Sequence, residues 1–396
     1  MTSSGPHDDL LDAVASSATL RRLLGSVRPA SEPAVAWDVA EQAWPFLGAL
    51  AARHAGSDGT VWFVCRDVRS QEEFASELGC WIAQATLFPD LEIPAAGLGL
   101  PDPERASERL AVLGRLARGE KLPVVITCSQ WEEMVPSARD LTASVLTLTK
   151  GWKGAPGSLV VRLDEAGYER VAQVTARGEF ALRGGILDLY SWQQASPHRL
   201  EFGEEGIDSI REFDPDTQTS VGEVENCEIQ LGESDRASVP LSEYLGKDDL
   251  VVEVGWEEAD SEKESDTPPQ ARRFAISSAP RLRGQGKNGV EEPRIPTFDP
   301  IPCATFGAGD FVIDEARRKE FFNQLTEWKK GGWRIILFSA TEGEAERFRE
   351  LAATHGGEGV APEARLGAIS RGFCIDGVKL ALLPMPRSSG APRASD

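Results

Sequence analysis

The chain has 396 residues, of which 41% are hydrophobic and 27% charged. That length exceeds one ordinary core, and that composition excludes general disorder. The balance of 42 Lys and Arg against 63 Asp and Glu leaves a net charge of −21, which excludes non-specific coating of DNA, a process driven by cationic side chains releasing phosphate counterions.

The 6 cysteines include no C-x-x-C pair and the 4 histidines are scattered, so no zinc, redox or other metal site and no cofactor is expected. No apolar run reaches the about 18 residues of a membrane span. The stretch from Met1 to Leu11 carries Asp8 and Asp9 and lacks the basic-then-apolar order of a signal peptide. A soluble, cytoplasmic chain is the expectation.

In chain order, residues 8–25 read as one short helix, with Leu10, Leu11, Val14, Leu20 and Leu23 near helical spacing. After Pro29 and Pro33, helices and strands alternate to about Ser129. Asp38 to His54 reads as a helix despite Pro45, Thr60 to Cys65 as a buried strand, and Ser70 to Gly79 as a helix with Ser70 at its N-cap. Pro101 to Gly119 is a further helix and Leu122 to Thr127 a further strand, an alternation that points to a parallel α/β sheet. Beyond about residue 145 the pattern becomes short strands with glycine turns. They fall at Gln173–Thr175, Phe180–Leu182, Gly185–Tyr190, Arg199–Phe202 and Ile207–Arg211, preceded by a helical stretch from Arg162 to Ala166. Leu250 to Val254 is one more buried strand. The acidic stretch from Glu257 and the Pro-, Gly- and Arg-rich stretch to Pro296 read as solvated linker. A compact unit follows, with helices at Asp314–Lys330 and Gly343–Ala353 around the strand Trp333–Phe338, and then a low-complexity tail from Pro384.

The place where a phosphate loop would fall, from Val35 to Trp44, has no glycine and no lysine. A G-x-x-x-x-G-K-[ST] loop needs both to cradle phosphates at a helix N-terminus, so ATP binding and hydrolysis are not expected. Val312 to Glu315 reads as a strand end ahead of a helix, Asp214 and Asp216 as a turn around Pro215, Gly178, Gly184 and Gly185 as turn glycines, and His198 as a surface residue. No set of nucleophile, base and orienting group is visible. The strongest local signal runs from Ala176 to Thr219. Alternation there sends Phe180 and Leu182 to one face and Ala181 and Arg183 to the other, and lets Arg183 and Arg199 share a face. A planar guanidinium on a rigid sheet suits a partner's carboxylate or backbone acceptor; pairing within the module to Asp188, Glu201 or Asp208 is the alternative.

The run from Arg177 to Tyr190, with Arg199–Phe202 and Ile207–Gln218, resembles the bacterial transcription-repair coupling factor family in its UvrB-like interaction domain. Leu87–Pro94, Ser107–Leu110, Leu241–Leu245, Gly332–Phe338 and Ser370–Phe373 are similar to neighbouring parts of that family. The resemblance implies an α/β and α+β multidomain fold: a degenerate helicase-like parallel α/β domain with an inserted small α+β module, then a small α/β domain. The corresponding segments are a helical arm (1–30), the first domain (31–147), the interaction module (148–228), a return segment (229–256), the linker (257–298), the small domain (299–383) and the tail (384–396).

The resemblance also implies nucleotide excision repair as the process and UvrA, the excinuclease subunit, as the partner. It puts Arg183, Arg199, Phe202 and Gly203 at the contact positions. The family often has a second aromatic where this chain has Gly203. The family's polymerase-binding, translocase and regulatory domains are expected to be missing, which makes this chain a non-catalytic UvrA-recruiting adaptor. It should bind DNA weakly and make no contact with RNA polymerase. A truncated ATP-dependent translocase and a regulator competing with UvrB for UvrA are the alternatives.

Overall fold

A computed structural model describes residues 5, 7–29, 33–56, 58–91, 102–231, 238–257, 271–280, 298–301, 315–355 and 362–385. They fall into two compact units, one of Met1–Leu87, Pro123–Cys128 and Lys247–Asp396, the other of Phe88–Leu122 and Ser129–Gly246. Mixed α/β architecture with several sheets is what the sequence pattern requires, and that is what forms.

The first unit holds two sheets. One joins β1 (Ala34–Ala36), β2 (Val61–Cys65), β3 (Thr86–Leu87), β4 (Pro123–Thr127), β15 (Leu250–Val254) and β16 (Arg272–Ile276) in the order β1-β16-β15-β2-β4-β3. Every pairing in it is parallel. Its helices are α1 (Asp8–Ala15), α2 (Ala18–Gly25), α3 (Trp44–Ala55) and α4 (Val68–Leu78). The other sheet joins β17 (Phe298–Pro300), β18 (Arg334–Ser339), β19 (Glu363–Leu366), β20 (Phe373–Ile375) and β21 (Leu380–Pro384) in the order β17-β20-β21-β18-β19, with α8 (Glu315–Lys330) and α9 (Glu342–His355).

Strand periodicity explains how the second sheet is covered. Ile336 and Phe338 of β18 and Leu380 and Leu382 of β21 enter one core with α1 to α4 and the parallel sheet. Their alternates Ile335, Leu337, Ala381 and Leu383 enter another with Phe321, Phe322, Leu325 and Phe348 of α8 and α9.

Several boundaries differ from expectation for local reasons. The N-terminal helix is two helices, broken at Ser16 and Ser17, where the Ser16 hydroxyl donates to the Ala13 carbonyl. The helix expected from Asp38 starts at Trp44, with Pro45 in its first turn, where a missing N–H costs no hydrogen bond. The N-cap of α4 is Asp67, whose carboxylate accepts from the Ser70 amide at 2.8 Å while the Ser70 hydroxyl accepts from the Asp67 amide. Part of the expected linker is a central strand: β16 lies between β1 and β15 with Phe274, Ala275 and Ile276 buried, and its buried Arg273 donates to Glu253 of β15. Val312, Ile313 and Asp314, the strand end expected before α8, lie outside the described residues, as do positions 92–94 and the tail from 386.

The second unit contains α5 (Pro103–Ala117), β5 (Met134–Val135), α6 (Ala138–Ala143) and β14 (Val239–Pro240), with β5 and β14 paired. It also contains the antiparallel ribbon of β6 (Val145–Thr149) and β13 (Asn226–Gln230). Beyond the ribbon come α7 (Pro156–Glu165), β7 (Glu169–Arg170), β8 (Glu179–Arg183), β9 (Ile186–Leu189), β10 (His198–Phe202), β11 (Ile207–Phe213) and β12 (Ser220–Glu223). These strands form a sheet of order β12-β11-β10-β9-β8-β7. The strand expected at Gln173–Thr175 does not form, and the expected helical stretch at 162–166 is the end of α7.

Candidate protein-docking surface

The sheet from β7 to β12 has two unlike faces. Phe180, Leu187, Leu189, Leu200 and Ile210 point to one side and pack with Leu159 and Leu163 of α7 and with Leu148, Cys227 and Ile229 of the ribbon. The opposite face follows from register. Ala181 stands opposite Asp188, Asp188 opposite Arg199, and Arg199 opposite Arg211; Arg183 stands opposite Ile186, Ile186 opposite Glu201, and Glu201 opposite Ser209. Arg183 and Arg199 therefore share the charged face. Toward one end of it, Val174 and Phe213 form a small apolar cluster with Ala181.

Arg199 is held by two groups. Its Nε and Nη2 donate to Asp188 Oδ1 and Oδ2 at 2.7 and 2.9 Å, and its guanidinium carbon lies 4.8 Å from the centre of the Phe213 ring. The Asp188 hydrogen bonds raise the Arg199 pKa above its ordinary value. Arg183 is exposed, and its Nη2 donates to the Ala172 carbonyl. Arg211 donates to Glu201 at 3.3 Å, and the Ser209 hydroxyl donates to the other Glu201 oxygen at 2.7 Å. The expected pairing of an arginine within the module thus occurs at Arg199, with Asp188.

Phe202 does not join the two arginines. It follows Leu200 on the apolar face and packs half-buried against that core. Gly203 opens the turn between β10 and β11, its amide donating to the Gly206 carbonyl at 2.8 Å. A Cβ on Gly203 would lie 2.1 Å from the Asp208 carboxylate, so a larger residue here requires Asp208 to swing away. His198 is buried rather than on the surface, its ring 3.9 Å from Glu212, and burial lowers its pKa. The alternation that buries Phe180 and Leu189 buries His198 too, because it stands opposite Leu189. Asp214 closes a turn by accepting from the amides of Asp216 and Thr217 at 3.0 and 2.7 Å. Among the described residues there is no cluster of three or more metal-ligating side chains and no helix long and apolar enough to cross a membrane.

Two comparisons with known proteins bear on this surface. Residues 146–231 match the UvrB interaction domain family, a range that begins within β6 and ends just past β13 and so encloses the whole charged sheet. The chain is 36% identical to the transcription-repair-coupling factor of Bacillus subtilis over 135 residues, covering 34% of this chain and 12% of that protein. It is 30% identical to that of Haemophilus influenzae over 209 residues (52% and 17%) and 28% identical to that of Escherichia coli over 207 residues (51% and 18%). The matched stretches thus span less than a fifth of these relatives' length. Residues 146–231 are similar to the UvrB interaction domain family, and the chain resembles bacterial transcription-repair-coupling factors over about half its length.

Proposed function

We propose that the chain is a non-catalytic adaptor of transcription-coupled nucleotide excision repair that binds UvrA through the charged face of its UvrB interaction domain. The observation that carries this reading is the placement of Arg183 and Arg199, two strands apart, on one face of a rigid sheet whose other face is the module's main core. Guanidinium forks on a rigid sheet give directional contacts to acceptors on a protein partner. Phe202 supports the turn from the core side, and the resemblance puts Gly203 where the family often has an aromatic. Calorimetry with UvrA tests the reading. The chain binds, and the double variant Arg183→Glu, Arg199→Glu loses binding while its melting temperature stays near that of the parent; equal binding by both proteins sinks the assignment.

The parallel sheet of the first unit is, in this reading, a helicase-like domain without nucleotide chemistry. The turn from β1 to α3 supports it. Trp44 donates through Nε1 to the Val39 carbonyl at 3.2 Å, and its ring fills the space beside Gly255, where an added Cβ would come within 3.1 Å. The segment from Val35 to Trp44 also has neither the glycine nor the lysine of a phosphate cradle. The chain should bind no ATP in the micromolar range, and a calorimetric ATP isotherm there refutes this part.

A further inference from the structure

We propose that Asp188 is a positioning residue for partner binding: from a buried place on β9 it fixes the Arg199 guanidinium, so that Arg199 meets a partner carboxylate as an oriented donor rather than as a mobile cation. This rests on the function proposed above and adds to it how the surface is organised and what group it takes.

Three observations carry the inference. First, Asp188 and Arg199 are direct cross-strand neighbours, and both carboxylate oxygens are taken side-on by Nε and Nη2. A guanidinium has five N–H donors, so this mode leaves both hydrogens of Nη1 and one of Nη2 for another acceptor. Second, the two groups differ in access: the Asp188 side chain is 4% exposed and that of Arg199 21%. An approaching partner reaches the arginine and not the carboxylate that holds it. Third, the Arg199 guanidinium carbon lies over the Phe213 ring, 4.8 Å from its centre, which backs the guanidinium from the side of the sheet. The other arginines of this face lack such a mount. Arg183 is exposed with a bond to one backbone carbonyl, and the Arg211–Glu201 pair is 40% and 35% exposed with a contact at 3.3 Å.

Orientation matters here because long-range attraction is unavailable. A chain of net charge −21 repels an acidic partner at a distance, so recognition of a carboxylate has to come from short-range, directional bonds. A donor already fixed in place loses less rotamer freedom on binding. Asp188 also offsets the repulsion of Arg199 and Arg211, which stand directly opposite each other.

The test is a double-mutant cycle in the full chain, read as affinity for UvrA together with melting temperature. Asp188→Asn should weaken binding by about tenfold or more, and Asp188→Asn combined with Arg199→Ala should bind no more weakly than Arg199→Ala alone. A purely structural Asp188 would instead add its loss to that of Arg199→Ala, and that additivity overturns the inference. Unchanged affinity in Asp188→Asn, with Arg199→Ala impaired, also overturns it while leaving the docking face intact. Unchanged affinity in Arg199→Ala removes the face itself. If Asp188→Asn fails to fold, Arg199→Lys decides: it keeps the charge and loses the side-on geometry, so an affinity loss of about tenfold supports a mounted donor and parental affinity refutes it.

Discussion

The parallel sheet of the first unit and the antiparallel sheet of the second are built to opposite specifications. In the central strand β2 every residue from Val61 to Cys65 is buried, and β15 buries four of its five residues; such strands read as continuous apolar runs because both faces are covered. In β8 to β11 apolar residues alternate with Arg183, Asp188, Arg199, Glu201 and Arg211; the main core closes on one face, and the other carries only the small cluster of Val174, Ala181 and Phe213. The first sheet spends both faces on stability. The second leaves most of one face to charged side chains, and the proposed docking role rests on that face.

Mutations separate the two most sharply at buried aromatics. Phe63 on β2 is fully buried and its ring lies 5.4 Å from that of Phe74 on α4. Phe63→Ala should cost about 3–5 kcal/mol by urea unfolding, from lost transfer energy plus an unfilled cavity. A loss under about 1 kcal/mol would mean that this sheet is not the buried scaffold described above.

In the antiparallel sheet a turn should be the weak point. Gly206 has φ of 140° and a Cβ there would lie 2.1 Å from the backbone carbonyl oxygen of Trp152, which accepts from the Ile207 amide. Gly206→Ala must shift main chain rather than a side chain, and should destabilise the module by about 1–3 kcal/mol. Gly203→Ala meets only the movable Asp208 carboxylate and should cost less. Equal effects of the two substitutions would show that the turn is not pinned to Trp152.

Acid offers a third comparison. His7 in the first unit and His198 in the second are both buried, and burial lowers the pKa of each from 6.5. The unfolded chain then binds protons more readily than the folded one, so each contributes stability in full above about pH 6.5 and loses it as pH falls toward the lowered folded value. Their surroundings differ. Around His7 stand Arg365, which opposes protonation, and Asp9, with Trp81 and Phe338 at the ring edges and the Leu366 carbonyl on Nε2; His198 faces Glu212, which favours it. Acid denaturation should therefore be relieved by His7→Gln and by His198→Gln, each measured as a shallower slope of unfolding free energy between pH 7 and pH 5. An unchanged slope in either variant contradicts the burial of that histidine.

Much of this contrast is legible in the sequence where a single periodicity governs. Leu250 to Val254 forms a strand over the residues expected, and the alternation of Phe180, Ala181, Leu182 and Arg183 sorts the faces of β8. What stays hidden depends on partners distant in the chain. β16 reads as linker because Arg272 and Arg273 begin it and low-complexity segments flank it; the bond to Glu253, 20 residues earlier, helps make a buried Arg273 tolerable. His198 reads as a surface residue beside Arg199 until its register opposite Leu189 is known. Of the proposed contact residues, the two arginines come together on one face, and Phe202 is turned away by the same alternation that joins them.

The smallest expected effect bears most directly on what the charged face is for. Arg183 is exposed and bonded to the Ala172 carbonyl, an acceptor that water satisfies as readily when the guanidinium is removed. Its loss opens no cavity and strands no buried charge, so Arg183→Ala should change the unfolding free energy by no more than about 0.5 kcal/mol. A residue that a fold does not need, on the same face as the mounted Arg199, is what a docking surface predicts. If Arg183→Ala instead costs more than about 1 kcal/mol, the arginines are holding the module together, and the difference between the two sheets is one of solvation alone.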